Sequence, residues 1–151
     1  MTPPTPDWVA VDPSALGVTN ALFLLRRDGL PDAYAPTITV SGGWQPAPVS
    51  LEDVADETLA KLRREGAYDV ALLDRDAAAS ALEQTLALTI EVEGRTHLLR
   101  QVQAVRAYAD PGNPGRAAVL LHTLSCTVDQ APAMTAELET YLASVEVDAG
   151  L

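Results

Sequence analysis

A run of strictly alternating residues, followed by a glycine turn, constrains this chain more than any other feature of its sequence. Within the range Thr85–Glu93, large apolar residues occupy every second position: Leu86, Leu88, Ile90 and Val92. A period of two places these side chains on one face of a β-strand. Glu93-Gly94 then supplies a tight turn, so the segment from Arg95 to about Tyr108 is predicted to return as an antiparallel partner.

Further strand signals extend this hairpin into a meander. The loop 110–115 is rich in proline, glycine, asparagine and aspartate, and it leads into a strand predicted over Arg116–Val128. Residues 74–81 are ambiguous, because alanine-rich sequence favours helix over strand. Shorter strands are predicted over Trp8–Val11, Asn20–Arg27, Thr37–Ser41 (ended by Gly42-Gly43) and Val70–Leu73.

Two segments carry the spacing of amphipathic helices. Ser50 and Asp53 form a capping-box-like pair at the start of the first helix, which Gly66 ends. Its predicted apolar stripe is Leu51, Val54, Ala55, Leu59 and Leu62. A second helix follows Pro132, with Met134, Leu138, Tyr141, Leu142 and Val145 at helical spacing. We therefore predict an α+β fold, an antiparallel sheet of about six or seven strands flanked by two amphipathic helices.

Length and charge limit the classes of protein to consider. The 151 residues fit one domain, which we place at 8–147, between a tail over 1–7 and a second tail over 148–151. The formal charge of −11 repels phosphate backbones and anionic lipids, so we expect no binding to nucleic acid and no association with such membranes.

The start of the chain bears on its location. Met1 to Asp7 lacks the basic and apolar regions of a signal peptide, and no segment reaches the roughly 18 apolar residues that a membrane span needs. If Met1 is the natural start, we expect a cytoplasmic protein without membrane insertion. Cys126 is the only cysteine, so an internal disulfide is excluded.

Three features occur in an order that resembles a known family. Pro6-Asp7-Trp8 opens the first strand, Tyr34-Ala35-Pro36 leads into the strand Thr37–Val40, and the meander ends in a helix that closes with Leu142-Ala143-Ser144-Val145. This order resembles the LpqN family of actinobacterial proteins and, more distantly, the PsbP-like and DcrB-like α/β/α sandwich. The resemblance covers about residues 6–147.

The resemblance implies a non-enzymatic protein, because the family offers no catalytic residues to transfer. Relatives of that fold include lipoproteins, assembly factors and chaperones that hold secreted effectors. The family's lipoproteins carry a lipid-bearing cysteine after an N-terminal signal. This chain has no cysteine near its start, so the lipoprotein role is not carried over.

The residues capable of nucleophilic or metal chemistry are not expected to meet. A catalytic dyad needs side chains within about 3 Å of each other. His122 and Cys126 share a predicted strand and a face but lie roughly 13 Å apart, and Ser125 points to the other face. His97 is predicted on the order of 20 Å from His122. We therefore expect no enzyme, no metal site and no cofactor.

The predicted register assembles one polar row. The turn at Glu93-Gly94 places Gln84 opposite Gln103, and a symmetric closure of the loop 110–115 places Gln103 opposite His122. Two interpretations remain open for this row: a strip that binds a small ligand inside an apolar pocket, or a ladder of mutually hydrogen-bonded side chains near the end of the sheet.

The opposite face of the same strands is predicted to be unusually apolar for a solvated surface. An uncovered sheet face should be mostly polar, so four large apolar residues there imply a cover. One helix, another protein or a second copy of the chain could supply it. The predicted partner-binding residues on this face are Leu98, Arg100, Val102, Arg106, Val119, Leu121 and Thr123.

These patterns favour a binding module over an enzyme. The leading hypothesis is a non-enzymatic, protein-binding or chaperone-like domain that uses the apolar sheet face and forms either a heteromeric complex or a homodimer. The alternative is a carrier of a small hydrophobic ligand, with a pocket between sheet and helix at Gln84, Gln103 and His122. A hydrolase would require a histidine within hydrogen-bonding reach of Ser125.

Overall fold

The hairpin predicted at Glu93-Gly94 lies at the centre of the fold. Both turn residues have positive φ angles, 51° for Glu93 and 77° for Gly94, as the two-residue turns that match strand twist require. The turn joins β5 (Ala81–Val92) to β6 (Arg95–Ala109). The pairing runs from Val92 opposite Arg95, so the predicted register of this hairpin is confirmed.

The computed structural model describes residues 5–12, 21–30 and 34–145. Within these residues, seven antiparallel strands form one sheet in the order β1-β2-β3-β7-β6-β5-β4. The other strands are β1 (Trp8–Val11), β2 (Phe23–Arg27), β3 (Thr37–Pro46), β4 (Tyr68–Ala77) and β7 (Arg116–Thr127). The helices are α1 (Leu51–Arg64) and α2 (Ala131–Ala143). The predicted α+β class is therefore confirmed.

Helix α1 covers one side of the sheet, called the α1 face below. Its cap is the predicted one, because the Ser50 Oγ accepts a hydrogen bond from the Asp53 backbone N–H at 3.2 Å. Leu51 and Ala55 are buried against Leu82, Val105 and Val119. Farther along the helix, Leu59 and Leu62 pack on a second cluster formed by Leu86, Leu88 and Leu99.

Helix α2 covers the other side, called the α2 face. It begins with Pro132 in its first turn, where a missing N–H is tolerated. The buried side chains of the helix are Met134, Leu138, Tyr141 and Leu142, and they pack on the inward residues of β1, β2, β3, β7 and the inner part of β6. Glu137 fixes the sheet edge, since it accepts from Trp8 Nε1 and from Arg27 Nε, each at 3.1 Å.

Strand β3 is longer than predicted. The sequence indicates an end at Gly42-Gly43, whereas the strand continues to Pro46 and pairs with β7 throughout. Gly42 allows this continuation because it adopts a φ of 129°, and a Cβ atom there would lie 1.9 Å from the Val119 carbonyl oxygen. Glycine here permits a close backbone approach rather than ending the strand.

The predicted register between β6 and β7 is wrong by one residue. A symmetric closure of the loop pairs Ala107 with Ala118, but Ala107 pairs with Val119. Asp110 explains the asymmetry, because its carboxylate accepts from the Gly112 N–H at 2.9 Å and from Arg116 Nε at 2.5 Å. A slip of one residue sends each β7 side chain to the opposite face from the predicted one.

Strand β4 forms one edge of the sheet and pairs irregularly with β5. Its register shifts between Tyr68 and Ala71 and again between Leu72 and Asp74, as at β-bulges. The strand includes residues 74–77, so the ambiguous alanine-rich segment is extended in its first part. Most β4 side chains are exposed to solvent.

Some predicted boundaries lie outside the described residues. These are the first part of the tail over 1–7, the start of the strand predicted from Asn20, and the end of the domain with the tail over 148–151. The limits of 8–147 for the domain stay a prediction. Tail residues 5–7 are described, and there the Trp8 N–H donates to the Thr5 carbonyl at 3.2 Å.

Gly42→Ala should destabilise the protein strongly. The added methyl group would meet the β7 backbone, and the positive φ angle would be strained. A strained backbone position of this kind costs on the order of 1–3 kcal/mol before any clash is counted, so we expect a loss of at least about 2 kcal/mol in the free energy of unfolding, measured by urea denaturation.

Gly43→Ala is the matched control for this substitution. Apart from Gly43 and its two chain neighbours, no described atom lies within 4 Å of a Cβ atom built at Gly43, so we expect the unfolding midpoint of this variant to stay close to that of the parent. Equal losses of stability for the two variants would contradict a specific close approach between Gly42 and the β7 backbone.

Candidate functional site

The slipped register divides the predicted partner-binding residues between the two faces. Leu98, Arg100, Val102 and Arg106 lie on the α2 face, whereas Val119, Leu121 and Thr123 lie on the α1 face. Val102 is buried in the core beneath α2 and Val119 in the core beneath α1. These seven residues therefore do not form one surface.

The predicted polar row is correct for two of its three members. Gln84 and Gln103 are cross-strand partners, and Gln84 Nε2 donates to Gln103 Oε1 at 2.7 Å. His122 pairs with Ala104 instead of Gln103 and lies on the α2 face. The predicted register between β6 and β7, which is wrong by one residue, had placed His122 on the same face as the two glutamines.

The two glutamines belong to a longer chain of hydrogen bonds across the α1 face. Arg75 donates twice to Gln84 Oε1, at 2.9 and 2.8 Å. Gln103 Nε2 donates to Gln101 Oε1 at 3.0 Å, and Gln101 Nε2 donates to Ser125 Oγ at 3.1 Å. The chain thus runs in one direction over strands β4, β5, β6 and β7.

Arg75 sets the direction of this chain. A guanidinium group only donates, so the Gln84 oxygen must face Arg75 and the Gln84 amide nitrogen must face the next residue. The Gln84 nitrogen also lies 3.3 Å from the Ala55 carbonyl oxygen of α1, which can only accept. Arg75 is itself held by Asp56, whose Oδ1 lies 2.8 Å from the Arg75 NH1.

Tyr34 stands at the far end of the chain. Burial raises the pKa of its phenol to about 12, and the Ser125 side chain hydrogen-bonds to it. Its ring contacts the His97 ring with centroids 5.6 Å apart, and its backbone oxygen accepts from Gln130 Nε2 at 3.0 Å. The sequence pattern did not predict Arg75, Gln101 or Tyr34 as members of this chain of hydrogen bonds. The spacing of Gln101 and Gln103 on one face was the available signal.

A cavity of about 390 Å³ opens beside α1, over β3 and β7. This volume lies within the range of small-molecule sites. Seven of its thirteen lining residues carry a hydroxyl or carboxamide group, while apolar atoms contribute the larger part of the lining surface. The polar lining residues on the sheet are Thr39, Ser41, Gln101, Gln103, Thr123 and Ser125.

The helix and one loop complete the lining of the cavity. Helix α1 contributes Glu57, Thr58, Lys61 and Leu62, and Glu65 follows directly after its last residue. Ala21 and Leu121 add apolar surface. The charged groups at the rim are paired: Arg64 NH2 lies 2.6 Å from Glu57, and Lys61 Nζ lies 3.8 Å from Glu65. The cavity shares Gln103 with the predicted pocket, whereas Gln84 and His122 do not line it.

A second polar cluster lies in the core beneath α2. His122 is fully buried, and its Nδ1 lies 3.1 Å from the Tyr141 hydroxyl. The His122 Nε2 and the Tyr108 hydroxyl are also buried, and neither has a hydrogen-bonding partner in the described part of the chain. Burial, with a contribution from Arg106, lowers the pKa of His122 to about 4. The imidazole is therefore neutral at pH 7.

The predicted nucleophiles lie apart from the histidines. Cys126 is buried on the α2 face, where desolvation raises the pKa of its thiol to about 11. Ser125 lies on the α1 face and bonds to Gln101 and Tyr34. Among the described residues, no group of three histidine, cysteine or acidic side chains could hold a metal ion. In the same residues, no helix is long and apolar enough to cross a membrane.

Part of the α2 face is not covered by α2. This open face is formed by Tyr68, Ala71, Ala87, Leu98 and Arg100, on strands β4, β5 and β6. Leu98 is 64% exposed and Tyr68 is 42% exposed. The two residues flank Thr89, which pairs with both.

The open face is bordered by an apolar residue at one end and by acidic groups at the other. Val128 follows β7 at the end of the sheet where Leu98 lies, and it is 41% exposed. At the other end, Asp76 pairs with Glu83, and Glu139 of α2 approaches Glu83. Partial burial, with the charges of Glu139 and Asp76, raises the pKa of Glu83, which indicates an excess of negative charge.

Comparison with known proteins supports the fold. No family model matches the sequence, and neither does any curated protein. The structure is similar to that of LpqN, which is involved in cell envelope biogenesis of Mycobacterium tuberculosis: the TM-score is 0.56 at 13% identity, over 90% of this chain and 75% of LpqN. It is also similar to PA94 from Pseudomonas aeruginosa, a protein of unknown function, with a TM-score of 0.52 at 19% identity over 83% of this chain and 81% of that one. The expected LpqN-like fold is thus supported at the level of structure.

The buried His122 should make the protein less stable in acid. Its folded-state pKa of about 4 lies below the unfolded value of 6.5. The stability it contributes is therefore complete above pH 6.5 and is lost as the pH falls through 4, by roughly 3 kcal/mol at most. His122→Asn removes this titration, so the gap in unfolding free energy between parent and variant should narrow from pH 7 to pH 4.

Urea denaturation of both proteins at several pH values would measure this gap. Taking the difference between parent and variant cancels the carboxylates that titrate in the same range. A gap that stays constant between pH 7 and pH 4 would contradict a neutral, buried imidazole.

Proposed function

We propose that this chain is a non-enzymatic, chaperone-like module that binds an apolar segment of another protein on its open face. The exposed Leu98 side chain is the observation that carries the proposal. Three exposed apolar side chains, Leu98, Tyr68 and Val128, occur at one end of this face. Leu98 is 64% exposed and is separated from Tyr68 by Thr89; apolar residues grouped on one surface mark interaction sites, whereas scattered single ones do not.

The charge around the open face selects the kind of partner. Asp76, Glu83 and Glu139 lie together at one end, where Arg106 is the cation that acts on Glu83. The whole chain has a formal charge of −11. An apolar segment flanked by lysine or arginine would therefore place its apolar side chains on Leu98 and its cations near the acidic cluster.

The fold suits this role because the open face rests on a rigid base. Strand β5 pairs with β6 along its full length beneath it, and α1 packs on the other side of both strands. Such a surface needs little ordering upon binding, which limits the entropic cost of association. The envelope role belongs to LpqN, and the present proposal rests on the surface of this chain.

A carrier of small hydrophobic ligands, the alternative from the sequence, has less support in the geometry. The cavity beside α1 has carboxamides and hydroxyls along its floor. The carboxamides already bond to one another and to Ser125. An apolar ligand would still leave the second amide hydrogen of Gln101 and of Gln103 without a partner, and each buried group left unpaired costs about 1–3 kcal/mol.

Leu98→Asp should abolish most of the binding to an apolar, basic peptide. We expect a fluorescent peptide of leucine and lysine to bind the parent saturably, and to bind Leu98→Asp about tenfold more weakly, equivalent to about 1.4 kcal/mol. Fluorescence anisotropy at constant ionic strength provides the measurement. A matched peptide of leucine and glutamate should bind poorly to both.

Val92→Asp is the matched control. Val92 is also exposed but lies beside the Glu93-Gly94 turn on the α1 face, so this substitution adds the same charge away from the open face. If the two variants weakened peptide binding equally, the affinity would depend on net charge alone, which would contradict the proposal. Light scattering adds a third outcome: a dimer that Leu98→Asp dissociates would mean that a second copy occupies the face instead.

A further inference from the structure

We infer that the cavity beside α1 is a binding site for a small uncharged amide, a molecule with a carbonyl acceptor next to an N–H donor. The cavity lies on the opposite side of the sheet from the open face, so this inference goes beyond the protein-binding role. It follows from the hydrogen-bond chain that starts at Arg75.

The carboxamide oxygens on the floor of the cavity are already occupied. Gln103 Oε1 accepts from Gln84 at 2.7 Å, and Gln101 Oε1 accepts from Gln103 at 3.0 Å. Because Arg75 fixes the direction of the chain, neither amide can turn over without placing two donors or two acceptors face to face. The floor therefore offers donors in preference to acceptors.

The nitrogens on the same floor have hydrogens to spare. A carboxamide nitrogen carries two hydrogens. Gln84, which does not line the cavity, directs its nitrogen at two acceptors, Gln103 Oε1 and the Ala55 carbonyl. Gln101 and Gln103, which do line it, each make one such bond from their nitrogens, to Ser125 and to Gln101. The remaining N–H groups of Gln101 and Gln103 match a carbonyl oxygen of a ligand.

Hydroxyl groups face the cavity beside these donors. Thr39 and Thr123 are cross-strand partners on β3 and β7, and both line the cavity. A hydroxyl both accepts and donates, so this pair can accept the N–H that neighbours the carbonyl in an amide. Thr58 differs, since its hydroxyl donates to the Val54 carbonyl at 2.8 Å.

The charges around the cavity favour a neutral ligand. The charged side chains that line the cavity are Glu57, Glu65 and Lys61. Each of the two carboxylates has a basic partner, Glu57 in Arg64 and Glu65 in Lys61. The buried part of the lining holds uncharged groups, of which Gln103 is 1% exposed. An anion would also meet the field of a chain with a formal charge of −11.

Side-chain amide signals in nitrogen-15 NMR spectra provide the test. The probes are N-acetylglycinamide and the cyclic dipeptide of glycine, compared with N-acetylglycine as a matched carboxylate and with glycerol as a polyol. We expect the two amides to shift the NH₂ signals of Gln101 and Gln103 saturably. Preference for the carboxylate or the polyol would overturn the ligand class, and no saturable shift with any probe would overturn the site.

Thr123→Val and Thr85→Val form a matched pair for this experiment. Thr123 lines the cavity, whereas Thr85 lies on the opposite face of the sheet, opposite Val102. Loss of one hydrogen bond should weaken amide binding about three- to tenfold in Thr123→Val and leave it unchanged in Thr85→Val. Equal effects would overturn the inference. Both variants keep Leu98. A negative result for amide binding would therefore not affect the test of peptide binding on the open face.

Discussion

The carboxylate of Asp110 determines how strand β7 is aligned with strand β6, and the two faces of the sheet depend on this alignment. By holding the Gly112 N–H and the Arg116 guanidinium, it closes the loop between β6 and β7 asymmetrically. The closure decides which β7 side chains face α1 and which face α2. Thr123 and Ser125 thereby join the carboxamides of β6, while His122 and Cys126 enter the core beneath α2.

The sequence predicts well where local chemistry specifies geometry. The turn at Glu93-Gly94 admits one tight conformation, so the pairing of Gln84 with Gln103 follows from it. The Ser50 cap and the apolar stripe of α2 are equally local. The fold class therefore follows from the residues, and the structural similarity to LpqN agrees with it.

The sequence predicts poorly where a side chain or a distant backbone decides the outcome. The role of Asp110 in its loop is not visible in a pattern of turn-forming residues, and one residue of slip regroups the candidate site. Gly42 is a second case of this kind. Position 42 requires glycine because the backbone of Val119, far along the chain, lies too close for a Cβ atom. Arg75 lies in a segment without clear periodicity, so the sequence does not show which side of the sheet it faces. Its position at the start of the glutamine chain follows only from the pairing of β4 with β5.

The irregular pairing of β4 also makes this edge of the sheet a poor template for another strand. An edge strand of ten residues could recruit the edge of another molecule and start a fibril. Two bulges bend β4 away from flat pairing, and aspartates at 69, 74 and 76 would face like charges in an added strand. At the opposite edge, β1 has only four residues and offers little template. The sheet can thus leave part of its α2 face open to solvent while its two edges resist growth into larger aggregates.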